Sequence, residues 1–215
     1  MYATIGILAA LRHRDATGEG QHIDLSLVDA QMAWLINEGT NFLTSGKQPK
    51  RQGNAHPNIV PYEAFPCSDG HILVAVGNDA QFARFCDATG LAELADDARF
   101  KTNLDRIEHR DVLIPMLARQ LSSLPKTEVV RRLEAVKVPV GPIHTVGEAL
   151  GSDQAKARGT VVDVAHPDVA DGYVKLLANP LKLSRTPVRY RTAPPRFGQD
   201  TDEILATLSK DDAAD

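Results

Sequence analysis

GNAHPNIVPYEAFPCSDGHILVAVGNDAQF, residues 53–82, holds a loop, a hairpin and a helix start in succession. Tyr62 to Cys67 and His71 to Val76 read as strands, and Ser68-Asp69-Gly70 stands between them. Asp-Gly between two β-rich runs is a strong hairpin signal, because glycine accepts the positive φ that tight turns demand. Asn78-Asp79 then caps a helix that carries Phe82, Phe85 and Cys86, and Gly90 stops it. A hairpin running directly into a helix predicts a mixed α and β chain, of class α/β.

Downstream, a short helix is expected over 91–95. Thr102 with Asp105 three residues on resembles a capping box, with Asp in place of the usual Glu or Gln. The next helix carries Leu104, Ile107, Ile114, Leu117, Leu121 and Leu124 on one face, and Pro115 should kink or split it. A helix over about 128–136, a strand over 140–146 and a polar helix over 147–158 follow. Thr160 to Ala165 and Tyr173 to Leu177 are expected to pair around the turn-rich HPDVADG. The proline- and arginine-rich stretch 184–198 should run extended, with Arg185, Arg189, Arg191 and Arg196 as surface residues or ion-pair partners. A last helix over 201–208 and a frayed KDDAAD tail complete the chain.

Upstream, Ile5, Leu8 and Leu11 recur at helical spacing directly behind Met1, with no Ser, Thr, Asp or Asn to cap the free amides. Two readings follow: a helix cut from its context, hence a truncated protein, which is the expectation, or a true start at Met1 whose helix end frays. ATGEGQ, residues 16–21, supplies a helix stop, and the alternation over 22–27 predicts a half-buried strand. Residues 28–43 read as a second helix with Met32, Leu35, Ile36 and Phe42 as core positions, closed by Gly46. If the strands that should flank this segment are absent, the helix from Tyr2 to Leu11 and the strand from Ile23 to Leu27 leave a large apolar patch uncovered.

Composition limits the function. At 215 residues, with 43% hydrophobic and 24% charged residues, the chain has the make-up of a globular protein of one or two domains. A net charge of −4 lacks the basic surplus that nucleic-acid binding requires. No run approaches the roughly 20 apolar residues that span a bilayer. The opening MYATIGILAALRHR places its charges after the apolar stretch, unlike a signal peptide. Cys67 and Cys86 form no CxxC pair and are expected as free, partly buried thiols, and the seven histidines show no metal-ligand spacing. A reduced cytoplasmic protein without metal is the expectation.

For chemistry, there is no GxSxG elbow and no phosphate-cradling GxxxxGK[ST] loop. The best local candidate is the stretch Arg51-Gln52-Gly53-Asn54-Ala55-His56-Pro57-Asn58. Gly53 frees the backbone, Asn54 and Asn58 offer amides, and histidine, as at His56, is the side chain able to change charge near neutral pH. Two readings stand side by side: a loop that closes over a ligand and aims N–H groups at a developing oxyanion, or a linker whose histidine caps a turn. Lys47, Lys50 and Arg51 lie just ahead of it, either as a solvated basic patch or as a seat for an anion.

Several stretches together resemble one family. GILAALRHRDATGEGQHIDLSLVDA (6–30), GNAHPNIVPYEAFPCSDGHILVAVGNDAQF (53–82), FKTNLDRIEHRDVLI, VPVGPIHTVGEAL and HPDV…NPLKLSRTP…PPRFGQDTDEIL are similar, in order and spacing, to the C-terminal half of family III CoA-transferases. The wording at Ile59-Val60-Pro61-Tyr62 and Val76-Gly77-Asn78-Asp79 resembles members acting on dicarboxylic acids such as glutarate or succinate.

The resemblance implies CoA exchange between an acyl-CoA thioester and a free acid, with no cofactor besides coenzyme A as substrate. In the family an aspartate attacks the thioester and carries CoA as an aspartyl thioester, which is covalent catalysis by a carboxylate. It implies a remnant of a Rossmann-like large domain at 1–45, an active-site-side loop at 46–61, a small α+β domain at 62–146 and a returning segment at 147–215. Full-length members form interlocked homodimers. The match begins downstream of the catalytic aspartate, so no catalytic residue is assigned, and Asp15, Asp24 and Asp29 do not align with it. Arg51, Gly53, Asn54, His56 and Asn58 fall on the substrate side, where some members carry a glycine-rich loop. His56-Pro57 in place of a glycine run argues against a mobile lid. The expected partners are acyl-CoA and acid substrates, with neither nucleic acid nor membrane. The alternatives are a racemase of 2-methylacyl-CoA thioesters, working through a His/Asp acid–base pair upstream, and a non-catalytic remnant that binds a partner.

Overall fold

The computed structural model describes residues 1–211 and divides into two units, Met1–Ile143 and His144 onward. In the first unit the hairpin forms as its residues dictate. Strands β1 (Tyr62–Cys67) and β2 (Gly70–Ala75) pair antiparallel, with Cys67 opposite Gly70 and Tyr62 opposite Ala75. Strand β3 (Val140–Ile143) adds to the free edge of β2, giving the order β1-β2-β3. Ile72, Val74 and Val76 alternate inward and are fully buried, as strand periodicity requires.

Helices that follow the hairpin in the chain pack on that inner face. Upstream of the sheet lie α1 (Tyr2–Thr17), α2 (Leu27–Met32) and α3 (Ile36–Ser45). Beyond it, α4 (Asp79–Thr89) is capped by Asn78, whose side chain accepts from the Gln81 amide, and ends on Gly90 at φ 80. The short α5 (Glu93–Asp96) starts two residues later than the sequence suggested. In α6 (Asn103–Glu108) the capping box is complete: Thr102 accepts from the Asp105 amide and Asp105 accepts from that of Thr102. Helices α7 (Arg110–Leu121) and α8 (Lys126–Ala135) bring Leu113, Leu117, Leu121, Val129 and Leu133 into one core with Phe65, Phe82, Phe85 and Phe100.

Four expectations are corrected. The long helix breaks at His109, not at Pro115, which sits inside α7. His109 leaves helical geometry while its Nδ1 lies 2.8 Å from the Asp105 carbonyl, and its own carbonyl receives the Val112 and Leu113 amides. Pro115, lacking an N–H, removes only the bond that the exposed Asp111 carbonyl in the first turn would have accepted, and water can satisfy that carbonyl. Residues 22–27 are not a strand: they pair with no other segment among the described residues, and Ser26 instead accepts from the Asp29 amide to cap α2. A strand needs a neighbour for its backbone groups, and none is present. The helix expected over 28–43 is interrupted by a 3₁₀ turn at Ala33–Leu35 and by Ile36 at φ 47. Its supposed core positions Met32, Leu35, Ile36 and Phe42 are all exposed.

The apolar surface expected near the start is present. Helix α1 buries no residue, and Tyr2, Ile5, Leu8, Leu11, Ile23, Leu25 and Leu27 are exposed, Leu27 by 87%. Met1 supplies no side-chain cap to α1, and Gly18 closes it in the left-handed region.

In the second unit, β4 (Val161–Ala165) and β5 (Tyr173–Leu177) pair antiparallel, with Val161 opposite Leu177. The single helix expected over 147–158 is two, α9 (Val146–Gly151) and α10 (Asp153–Ala157), because Ser152 turns extended and caps the second. Residues 184–198 contain no helix or strand, and Arg196 forms an ion pair with Asp168. Helix α11 spans Thr201–Asp211, so the tail expected to fray begins helical, and residues 212–215 lie outside those described.

Both cysteines are free and buried. Burial pushes the Cys86 thiol up to about 12, and burial followed by the Asp69 charge raises that of Cys67. A thiol must ionise to react, so both are expected to resist a disulfide reagent at pH 8 in the folded chain and to react in guanidinium. Rapid modification of either in the native state would contradict their placement.

Candidate functional site

The loop at 46–61 is tied down from three directions. Asn54 Oδ1 accepts from the Ala64 amide at 2.9 Å, which fixes the loop to the start of β1. Asn58 and Asn41 of α3 exchange side-chain amide bonds at 3.0 and 3.3 Å. Asn103, just after the capping Thr102, accepts from the Val60 amide at 3.1 Å and donates to the Asn58 carbonyl at 2.9 Å. Gly53 takes φ 62 in a turn, where a side chain would be strained.

His56 is held on every side. Its Nδ1 accepts from the Asn58 amide at 3.1 Å, which places the proton of the neutral ring on Nε2. Nε2 lies 3.1 Å from the Asn37 side-chain amide, whose oxygen faces that proton once the amide's two ends are exchanged. The ring stacks on Tyr62 with centroids 5.2 Å apart, and the backbone amide donates to the Tyr62 carbonyl. Arg110 Nη2 donates to the His56 carbonyl at 2.6 Å. His56 therefore brackets the loop. The amides of Ala55 and Asn58 are likewise committed, to the Gln52 carbonyl and the His56 ring within the loop.

Beside the loop lies a cleft of about 470 Å³. Lys50 and Arg51 line it from the loop, Glu63 from β1, and Arg110, Asp111 and Ile114 from the first turns of α7. Glu63 is half-buried, and its Oε2 is buried with no hydrogen-bond partner among the described residues. Burial pushes the Glu63 carboxyl up, against the opposing pull of the Arg110 guanidinium.

Of the residues singled out in the sequence, Lys50, Arg51, Gln52 and Ala55 line the cleft, whereas Gly53, Asn54, His56 and Asn58 shape the loop that walls it. Glu63 and Arg110 were not anticipated as site residues. Glu63 gave one signal, a lone carboxylate inside a strand whose neighbours are aromatic or apolar; Arg110 gave none, since its partner is 54 positions away. Among the described residues, no three metal-ligating side chains come together, and no helix is long and apolar enough to cross a membrane.

The chain is thus a mixed α and β protein with a cleft, beside a knitted loop, lined by three cations, Lys50, Arg51 and Arg110, and two carboxyl side chains, Glu63 and Asp111. The profile of the family described as CoA-transferase family III matches residues 1–201, and the chain belongs to that family. It is 40% identical over 209 residues to the succinate–glutarate CoA-transferase of Agrobacterium fabrum, covering 97% of this chain and 52% of that protein. It is 35% identical over 215 residues to the succinyl-CoA:glutarate CoA-transferase of Homo sapiens, covering 100% of this chain and 49% of that one. A solved CAIB/BAIF family protein from Brucella suis superposes with a TM-score of 0.76 at 38% identity, over 96% of this chain and 53% of that chain. The chain thus spans about half the length of the curated relatives it matches.

Proposed function

We propose that the chain serves CoA transfer between an acyl-CoA thioester and a free dicarboxylic acid, and that its cleft seats a carboxylate of that acid. The observation that carries this is the convergence of Lys50, Arg51 and Arg110 on one cleft in a member of this family. Arginine forks match the two oxygens of a carboxylate, and desolvation by the cleft walls strengthens the pairing. The names of the Agrobacterium and human relatives, both acting on succinate or its CoA ester and glutarate, support the choice of acid.

In this reading residues 1–45 belong to a Rossmann-like large domain, 46–61 form the loop on the active-site side, 62–146 are the small domain and 147–215 return to the large one. Gly53, Asn54, His56 and Asn58 hold the loop in the shape that presents Arg51 to the acid. The covalent step falls to an aspartate outside this set of residues, so the 215-residue chain by itself exchanges no CoA. Full-length copies pair as interlocked homodimers, in a reducing cytoplasm that suits the two free thiols.

Titration of glutarate into the chain tests the placement. Arg51→Ala is expected to weaken binding about tenfold, the loss of one partly exposed charge-assisted contact. Binding unchanged in that variant would remove the acid from this cleft.

A further inference from the structure

The unpartnered oxygen of Glu63 gives the cleft a second property. A buried carboxylate oxygen without a donor is costly, and native structures rarely leave one without a reason. Here the charged groups lining the cleft with it are Lys50 and Arg51 from the loop and Arg110 and Asp111 from α7. Arg110 does not satisfy Oε2, and its Nη2 is spent on the carbonyls of His56 and Pro57. The cations attract an anion into the same space that Glu63 occupies, and two ionised carboxylates cannot lie side by side without a large repulsion. One proton between the Glu63 carboxyl and the ligand removes that repulsion.

Resting on the acid-binding reading above, we infer that Glu63 takes up a proton from solvent when a dicarboxylic acid binds and shares it with a carboxylate of the ligand. Glu63 is then a specificity-determining residue. It favours a ligand group that can accept a hydrogen bond from a carboxyl, and it disfavours anions that arrive without the accompanying proton. The upward push of burial on the Glu63 carboxyl favours this uptake, and the opposing pull of the Arg110 charge weakens once a ligand carboxylate engages the cations.

The experiment is calorimetric titration of glutarate into the 215-residue chain at pH 7, in buffers of different ionisation enthalpy. The dependence of the observed heat on the buffer gives the protons exchanged, and wild type is expected to take up about one per glutarate bound. Glu63→Gln, which keeps the shape and carries its own donor, is expected to bind glutarate with no proton uptake. Glutarate binding to wild type without uptake overturns the role of Glu63 and leaves the acid in the cleft. No glutarate binding in any buffer overturns the seat of the acid itself, and the inference with it. Because the wild-type measurement stands alone, a Glu63→Gln variant that fails to fold does not rescue or sink the proposal.

Discussion

Arg106→Ala is expected to lower the unfolding free energy of the first unit by about 4 kcal/mol, a large part of the 5–15 kcal/mol typical of a domain. The guanidinium is completely buried. Its Nε donates to the Val60 carbonyl at 2.7 Å, and Nη1 donates to the carbonyls of Phe100 at 2.9 Å and Lys101 at 3.4 Å. Nη2 reaches Asp79, and the group lies 4.4 Å from the centre of the Phe82 ring. Asp79 is 56% exposed, so solvent screens the ion pair and it contributes little. The effect comes from the carbonyls, because Val60 and Phe100 are buried and would be left without donors at roughly 1–3 kcal/mol each. Loss of the contact with Phe82 and the space left behind add to it.

Urea unfolding followed by circular dichroism measures the change. Arg106→Lys is expected to recover little, since an ammonium cannot serve two carbonyls and Asp79 in the fixed geometry of the fork. Arg106→Met fills the volume but leaves the carbonyls unpaired, and it should fall close to the alanine variant. A loss below about 1 kcal/mol in Arg106→Ala would mean that water replaces the guanidinium, and the bracing of the loop end by α6 would have to be abandoned.

How much of this was legible depends on how far apart the partners are. The hairpin, the Asn78 cap, the Gly90 stop and the Thr102/Asp105 box were all readable, because each is decided within a few residues. The segment 22–27 has the alternation of a strand, but a strand forms only with a partner, and alternation cannot say whether one is there. Residues 28–43 failed similarly: the apolar spacing promised a buried face, yet Met32, Leu35, Ile36 and Phe42 meet solvent. Proline at 115 was the obvious place to break a helix, while the break lies at His109, where the ring engages the Asp105 carbonyl. The site was half legible. Lys50 and Arg51, which line the cleft, stood out as a basic cluster beside the loop, but Arg106 and Arg110 act on Val60 and His56, 46 and 54 positions away, and sequence spacing carries no trace of that.

The largest functional effect expected is a complete difference between this chain alone and the same chain joined to the rest of a family fold. Catalysis through a covalent aspartyl intermediate needs the nucleophile, the thioester and the acid in one place, and positioning alone does not replace the nucleophile. On the proposed reading the cleft lined by Lys50, Arg51 and Arg110 seats the acid, and the apolar side chains of α1 and the 22–27 segment, exposed here, are the face to which the rest of a family fold is joined in the test below.

The most direct measurement replaces the matching half of the Agrobacterium fabrum relative with this chain and assays glutaryl-CoA formation from succinyl-CoA and glutarate. The account predicts glutaryl-CoA from the chimera, none from the 215-residue chain, and a kcat/KM about tenfold lower when the chimera carries Arg51→Ala. A chimera that folds as a stable, cooperative unit yet forms no glutaryl-CoA would contradict it, as would exchange by the chain alone.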